Sequence, residues 1–264
     1  MKNKMLFVIL VLAMFTLAAC GGQTSSTGAS NPPANTAAPV ATSAPQTAAS
    51  PAPVSKNAVF DPALVTDAAL KSAISHVYEG LVTLDSTGQP VIALAGNITV
   101  SEDGLDYIFS LRPGVTFHDG TSLDADAVVT NFSRWFDPQD PMHGAGTYDA
   151  WVASFGGFKS ELTSDNKPKS EVDGIQKQDT MTVLIHLNMP DADFLKKLAD
   201  PAFSIASPAA LKAAGFGTSS GTDGGSGPYK LGTWSASGVT LEPFTGYWNP
   251  SLVPTSNMQI SFSQ

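Results

Sequence analysis

Residues 101–121 read SEDGLDYIFSLRPGVTFHDGT, and their pattern decides the fold class. Leu105, Tyr107, Phe109 and Leu111 alternate with Asp106, Ile108, Ser110 and Arg112, the period-two signature of a strand with one buried face. Pro113-Gly114 predicts a turn into a second short strand over 115–117, which His118-Asp119-Gly120 ends. Directly downstream, Thr121-Ser122-Leu123-Asp124 fits a capping box. The helix it opens puts Val128, Val129, Phe132, Trp135 and Phe136 on one face, and Asp124 and Asp126 favour its positive end.

The same reading extends in both directions. Upstream, Asp67 is placed to cap a helix in which Leu70, Ile74, Val77, Tyr78 and Leu81 recur at helical spacing, and Asp85-Ser86-Thr87-Gly88 predicts a turn. Downstream, strands are expected over 182–187, 229–234, 239–242 and 259–262, with short helices over 193–199 and 208–214. Elements interleave irregularly and without repeats, which predicts an α/β (mixed α+β) domain.

The N-terminus has a different character. Lys2 and Lys4 precede Met5 to Ala19, a run in which only Thr16 is polar and which falls short of the roughly 20 residues that span a bilayer. A basic start, an apolar stretch and small residues at its end form a secretory signal over 1–19. Leu17-Ala18-Ala19-Cys20-Gly21 resembles the lipobox of bacterial lipoproteins, and Cys20 is the chain's only cysteine. That resemblance implies that Cys20 is acylated and becomes the mature N-terminus, since two or more acyl chains anchor stably where one does not. Residues 23–55 carry no charge, no aromatic side chain and six prolines. Such a segment cannot bury enough apolar area to offset its conformational entropy. Residues 20–58 are therefore expected to be a lipidated, disordered tether with a reach of roughly 30 Å, ahead of a domain over 59–264.

Composition removes several functions. Lys plus Arg number 14 and Asp plus Glu 23, a formal charge of −9. The first 58 residues hold three lysines and no acid, so the rest carries 11 basic against 23 acidic groups, a net of −12. A domain this acidic repels polyphosphate, and nucleic acid is not expected as a partner. One cysteine excludes an intrachain disulfide and a cysteine-rich zinc site. GxGxxG, GxxxxGK[ST], GxSxG and HExxH are all missing, and His76, His118, His143 and His186 are not at metal-ligand spacing. His186 reads as a satisfied or surface histidine. His118-Asp119 has the residue types of a base and its orienter, but strand neighbours face opposite ways. The glycine-rich run 215–227 lacks the lysine of a phosphate loop and reads as a flexible surface loop. No catalytic residue, metal or cofactor is expected, and the chain does not read as an enzyme.

Four blocks in order resemble the N-terminal half of the family 5 extracellular solute-binding proteins, which include the dipeptide, oligopeptide and nickel binding components of ABC importers. Phe60-Asp61-Pro62 followed by Tyr78-Glu79-Gly80-Leu81 is similar to that family's LDP … YEGL opening. Residues 101–121 resemble its block SxDGLxYxFxLRxGVxFHDGT. Asp179-Thr180-Met181-Thr182-Val183 through Pro190, with Phe194 and Leu198-Ala199, is similar to the next block, and Gly225-Ser226-Gly227-Pro228-Tyr229 with Tyr247-Trp248 resembles GTGPY … YW. Most of these residues also have plain structural uses: turns at Gly114 and Gly120, core at Tyr107 and Phe117, a strand entry at Pro228.

The resemblance implies a periplasmic-binding-protein type II-like first lobe. It implies a substrate-binding component that takes peptides or similar small solutes, hands them to ABC permease subunits, and is lipid-anchored at the outer face of the cell membrane. Its implied ligand-facing residues are Thr66, Asp67 and Ala68, where backbone groups pair with an extended peptide; Asp67 competes as a helix cap. Two departures stand out. A strand usual before the LDP block is missing or irregular here, and the second lobe is expected to be absent, as in a fragment, a truncated gene or one piece of a split protein. A second reading is a non-transport surface lipoprotein that uses the same scaffold as a sensor or adhesive module.

Overall fold

The computed structural model describes residues 52–55 and 58–263. The expected signal segment, Cys20 and most of the tether lie outside the described residues. After a 3-10 turn at Pro62–Leu64, the elements run α1 (Ala68–Ile74), β1 (Val82–Leu84), β2 (Pro90–Ile92), β3 (Ala95–Val100), β4 (Asp106–Leu111), α2 (Ala125–Phe136) and α3 (Asp149–Phe155). The chain continues through β5 (Val172–Asp179), β6 (Thr182–Leu187), α4 (Phe194–Leu198), α5 (Pro208–Lys212), β7 (Tyr229–Ser235), β8 (Gly238–Pro243) and β9 (Met258–Ser261).

The strand read from residues 101–121 is the centre of the larger sheet. β4 alternates half-buried and buried residues along its length, with Tyr107, Phe109 and Leu111 inward. It pairs antiparallel with β3 on one side and with the distant β6 on the other, in the order β3-β4-β6-β5. Phe109 lies opposite Val183, and Tyr107 opposite Ile185. Over this face pack α2 and α3. Trp135 and Phe132 from α2 meet Trp151 and Phe155 from α3, and Phe203 closes the cluster at 5.3 Å from Phe155. Trp151 and Phe155 are one helical turn apart and so share a face. Gly156 ends α3 at φ 86°, and a Cβ there would meet Lys169 O at 2.7 Å, so the helix stop and the close backbone approach both require glycine.

A second, smaller sheet, β7-β8-β9, is a run of local antiparallel pairings. Val239, Leu241, Met258 and Ile260 from its inner face pack on α1, Phe60, Val77 and Tyr78. The tether expected over 20–58 gives way earlier than that boundary. Val54 is 1% exposed and pairs in parallel with Phe262, its N–H donating to Ser261 O at 2.9 Å. The strand that was missing from the sequence pattern is thus a single bridge, too short to leave a periodic signal.

Three local expectations change. The helix capped by Asp67 stops at Ile74, because the carbonyls of His76 and Val77 instead accept from Tyr229 N (3.1 Å) and Gly227 N (2.9 Å), which draws the chain out of the helix. The second strand at 115–117 is only one bridge, Thr116 to Ser122. The cap of α2 is Asp124, which accepts from Ala127 N at 2.8 Å, while the Thr121 hydroxyl turns back to Asp119.

Candidate solute-binding face

The segment 60–68 is fixed from below and open above. Phe60 is buried, donating its N–H to Gly217 O and accepting from the Tyr78 hydroxyl at 2.9 Å. Asp61 caps the 3-10 turn by accepting from Ala63 N at 3.2 Å. The same carboxylate is held by Arg134 of α2 in a two-pronged pair, Nη1 to Oδ1 at 3.1 Å and Nη2 to Oδ2. Both side chains are nearly out of water, at 9% and 5% exposure for Arg134 and Asp61. Breaking such a buried pair from one side costs about 3–5 kcal/mol, so the turn is rigidly placed.

From this anchor the chain emerges in extended form. Val65 (φ −81°, ψ 126°) is buried, and Asp67 (φ −79°, ψ 130°) brackets Thr66 on the other side. Thr66, Asp67 and Ala68 are all exposed. They differ in what they have left to offer. The Asp67 carboxylate is committed to Leu70 N at 2.8 Å, the capping role that competed with ligand binding in the sequence. Among the described residues Thr66 has no hydrogen-bond partner for its main chain or its hydroxyl, so both its N–H and its C=O are free, whereas the Asp67 carbonyl accepts from Lys71 N at 2.9 Å. Leu64, 44% exposed, adds an apolar shoulder.

Behind this face a polar junction joins the two sheets, and here the sequence reading needs correcting. The run 215–227 is not uniformly a surface loop, since residues 223–227 are all buried. A Cβ on Gly225 would stand 2.1 Å from Val77 O, which explains the glycine without invoking phosphate. His118 does not use Asp119. Its Nδ1 lies 2.8 Å from Asp223 Oδ1 and its Nε2 2.9 Å from Gly227 O, whereas Asp119 accepts from the Ser207 hydroxyl and from Thr121 N. Asp223 also takes Leu231 N at 2.6 Å and Gly225 N at 3.0 Å, so the pair pins the start of β7. His186 sits 2.6 Å from Asp106 at the surface, and buried His143 reaches Arg134 O at 2.7 Å. His76 is half-buried, and burial lowers its proton affinity. Among the described residues no three metal-ligating side chains cluster, and no helix is long and apolar enough to cross a membrane.

A surface cavity of about 240 Å³ lies elsewhere, bounded by Phe136, Phe158, Leu162, Pro168, Val172 and Asn188. None of the three expected ligand residues lines it. The candidate site is an open face of extended backbone, not an enclosed pocket.

Residues 89–263 match the family described as bacterial extracellular solute-binding proteins, family 5 Middle. The glutathione-binding protein GsiB of Escherichia coli is 34% identical over 200 residues, covering 75% of this chain and 35% of that protein. Its counterpart in Salmonella paratyphi A is likewise 34% identical. Among solved structures, the periplasmic binding protein DppA of Helicobacter pylori, in complex with the peptide STSA, superposes with a TM-score of 0.65 at 26% identity. That match covers 80% of this chain and 41% of the other. HbpA2 of Haemophilus parasuis gives a TM-score of 0.66 at 28% identity, covering 80% and 42%. The chain therefore spans about a third of the length of the curated relatives it matches. The fold is that of a periplasmic binding protein in part, and the chain belongs to the bacterial extracellular solute-binding proteins, family 5.

Proposed function

We propose that this chain is the first lobe of the substrate-binding component of an ABC importer for peptides or similar small solutes, held at the outer face of the cell membrane by lipid on Cys20. The observation that carries the binding role is the unpartnered backbone at Thr66, between the extended Val65 and Asp67 and raised on the buried Asp61–Arg134 pair. A peptide lying along it gains main-chain hydrogen bonds whatever its side chains, as strand addition requires. Relatives named for glutathione and crystallised with a peptide support that ligand class. Residues 1–20, with their basic start, apolar run and Leu17-Ala18-Ala19-Cys20 end, support the anchor. The role is binding alone, and no bond is made or broken.

An open face competes with water for every hydrogen bond, each netting about 0.5–1.5 kcal/mol. Three such bonds give a complex of about millimolar strength or weaker. Calorimetry with glutathione and with short neutral peptides tests this on the full chain. Thr66→Pro removes the free N–H while Val65 already has the extended backbone that precedes a proline. It should abolish the signal and leave the melting temperature unchanged. A sub-micromolar complex, or binding indifferent to Thr66→Pro, overturns the proposal. Equal fatty-acid labelling of wild type and Cys20→Ser overturns the anchor.

A further inference from the structure

Glu79 lies in the connection between α1 and β1, and its carboxylate enters a notch built from two other segments. Oε1 accepts from the Tyr247 hydroxyl at 2.7 Å; Oε2 accepts from Trp248 Nε1 at 3.0 Å and from the Ser226 hydroxyl at 3.3 Å. All three donors are neutral. Among the described residues Glu79 makes no ion pair. Arg112, the cation whose field reaches it, is stacked 4.0 Å over the Trp248 ring and gives its Nε to Ala93 O at 3.0 Å. On the Ser226 side, the Asp223 carboxylate of the same loop is engaged by the His118 ring at 2.8 Å. A carboxylate drawn from water without a counter-ion holds its proton more readily than one in solution.

The donors allow both protonation states. Trp248 Nε1 can only donate, and it reaches both carboxylate oxygens, at 3.3 and 3.0 Å. It therefore keeps an acceptor whichever oxygen is protonated. The acid proton must then go to the Tyr247 or the Ser226 hydroxyl, which reverses from donor to acceptor. Protonation thus re-sorts the bonds that tie the 244–249 connection to the junction.

We propose that Glu79 is a proton-binding latch whose protonation state changes how the Tyr247–Trp248 segment is held against the junction of the two sheets. Burial pushes the Glu79 carboxyl up to about 7, against the opposing pull of the Tyr247, Trp248 and Ser226 hydrogen bonds and of Arg112. Its proton affinity in the fold exceeds its ordinary value of 4.5, so the folded chain gains on protonation. That stabilisation is complete below pH 4.5 and is lost as pH rises toward 7.

The test is the ¹⁵N-indole signal of Trp248 in the full chain, followed by NMR from about pH 5 to about pH 8.5, with Glu79→Gln beside it. The expected result is a single step with a midpoint near 7 in the wild type and a flat response in Glu79→Gln. A flat wild type, or a step that survives the substitution, overturns the proposal. Should Glu79→Gln fail to fold, the ¹³C carboxyl signal of Glu79 in the wild type decides alone: a midpoint near 7 upholds the latch, and one at 4.5 overturns it.

Discussion

The two cores are built from different material by different routes. Beneath β3-β4-β6-β5 the large rings of Phe132, Trp135, Trp151, Phe155 and Phe203 interlock, and the sheet closes only when β4 finds β6 far along the chain. Beneath β7-β8-β9 the side chains are mostly aliphatic, the pairings are between sequence neighbours, and the edge is finished by Val54 from a stretch with no patterned sequence. The first core has many long-range contacts per buried ring and should lose its structure all at once. The second is thinner and depends on one residue at its margin, so it should open locally first.

That contrast can be broken experimentally. Phe155→Ala empties a fully buried site among the rings of Trp151, Phe194 and Phe203 and should cost about 4 kcal/mol in urea unfolding, with the whole chain responding. Arg134→Met leaves Asp61 buried without its partner and should cost about 3 kcal/mol. Adding Asp61→Asn should return part of that loss, since an uncompensated charge is then no longer buried. Val54→Ala deletes about two methylenes' worth of burial, about 1.5 kcal/mol. Its signature should be faster amide exchange confined to β9 and the adjoining β8, with the larger sheet protected as before. Equal loss of protection in both sheets would show a single cooperative core. The smallest effect should come from Asp124→Ala, about 1 kcal/mol for the lost α2 cap, whereas Thr121→Ala should leave that helix unaffected.

What the sequence revealed and what it hid follow from the same physics. β4, β6, α2, β8 and β9 each have one buried face, and one-sided burial leaves a period in the sequence. β5 escaped because it is an edge strand exposed along most of its length, so Gln176, Lys177 and Gln178 carry no alternation. Val54 escaped because a single bridge has no period at all. At the candidate face, Thr66, Asp67 and Ala68 were nameable only by family resemblance. What holds them, Asp61 with Arg134, links residues 73 positions apart. Nothing local in the sequence marks such a pair. The His118–Asp223 pair was hidden for the same reason; the sequence argued only that His118 and Asp119 face opposite ways, as they do.

The central claim is that solute lies against the free backbone at Thr66. It is tested most directly by titrating the isotope-labelled full chain with glutathione and with a short neutral peptide while following every amide signal. The expected result is a saturable, fast-exchange response of about millimolar strength or weaker. It should be largest at Thr66, Asp67 and Ala68, with the Leu64 methyls moving in step. Shifts centred instead on the cavity bounded by Phe136, Phe158 and Val172, or a complex that leaves Thr66 unmoved, would contradict it.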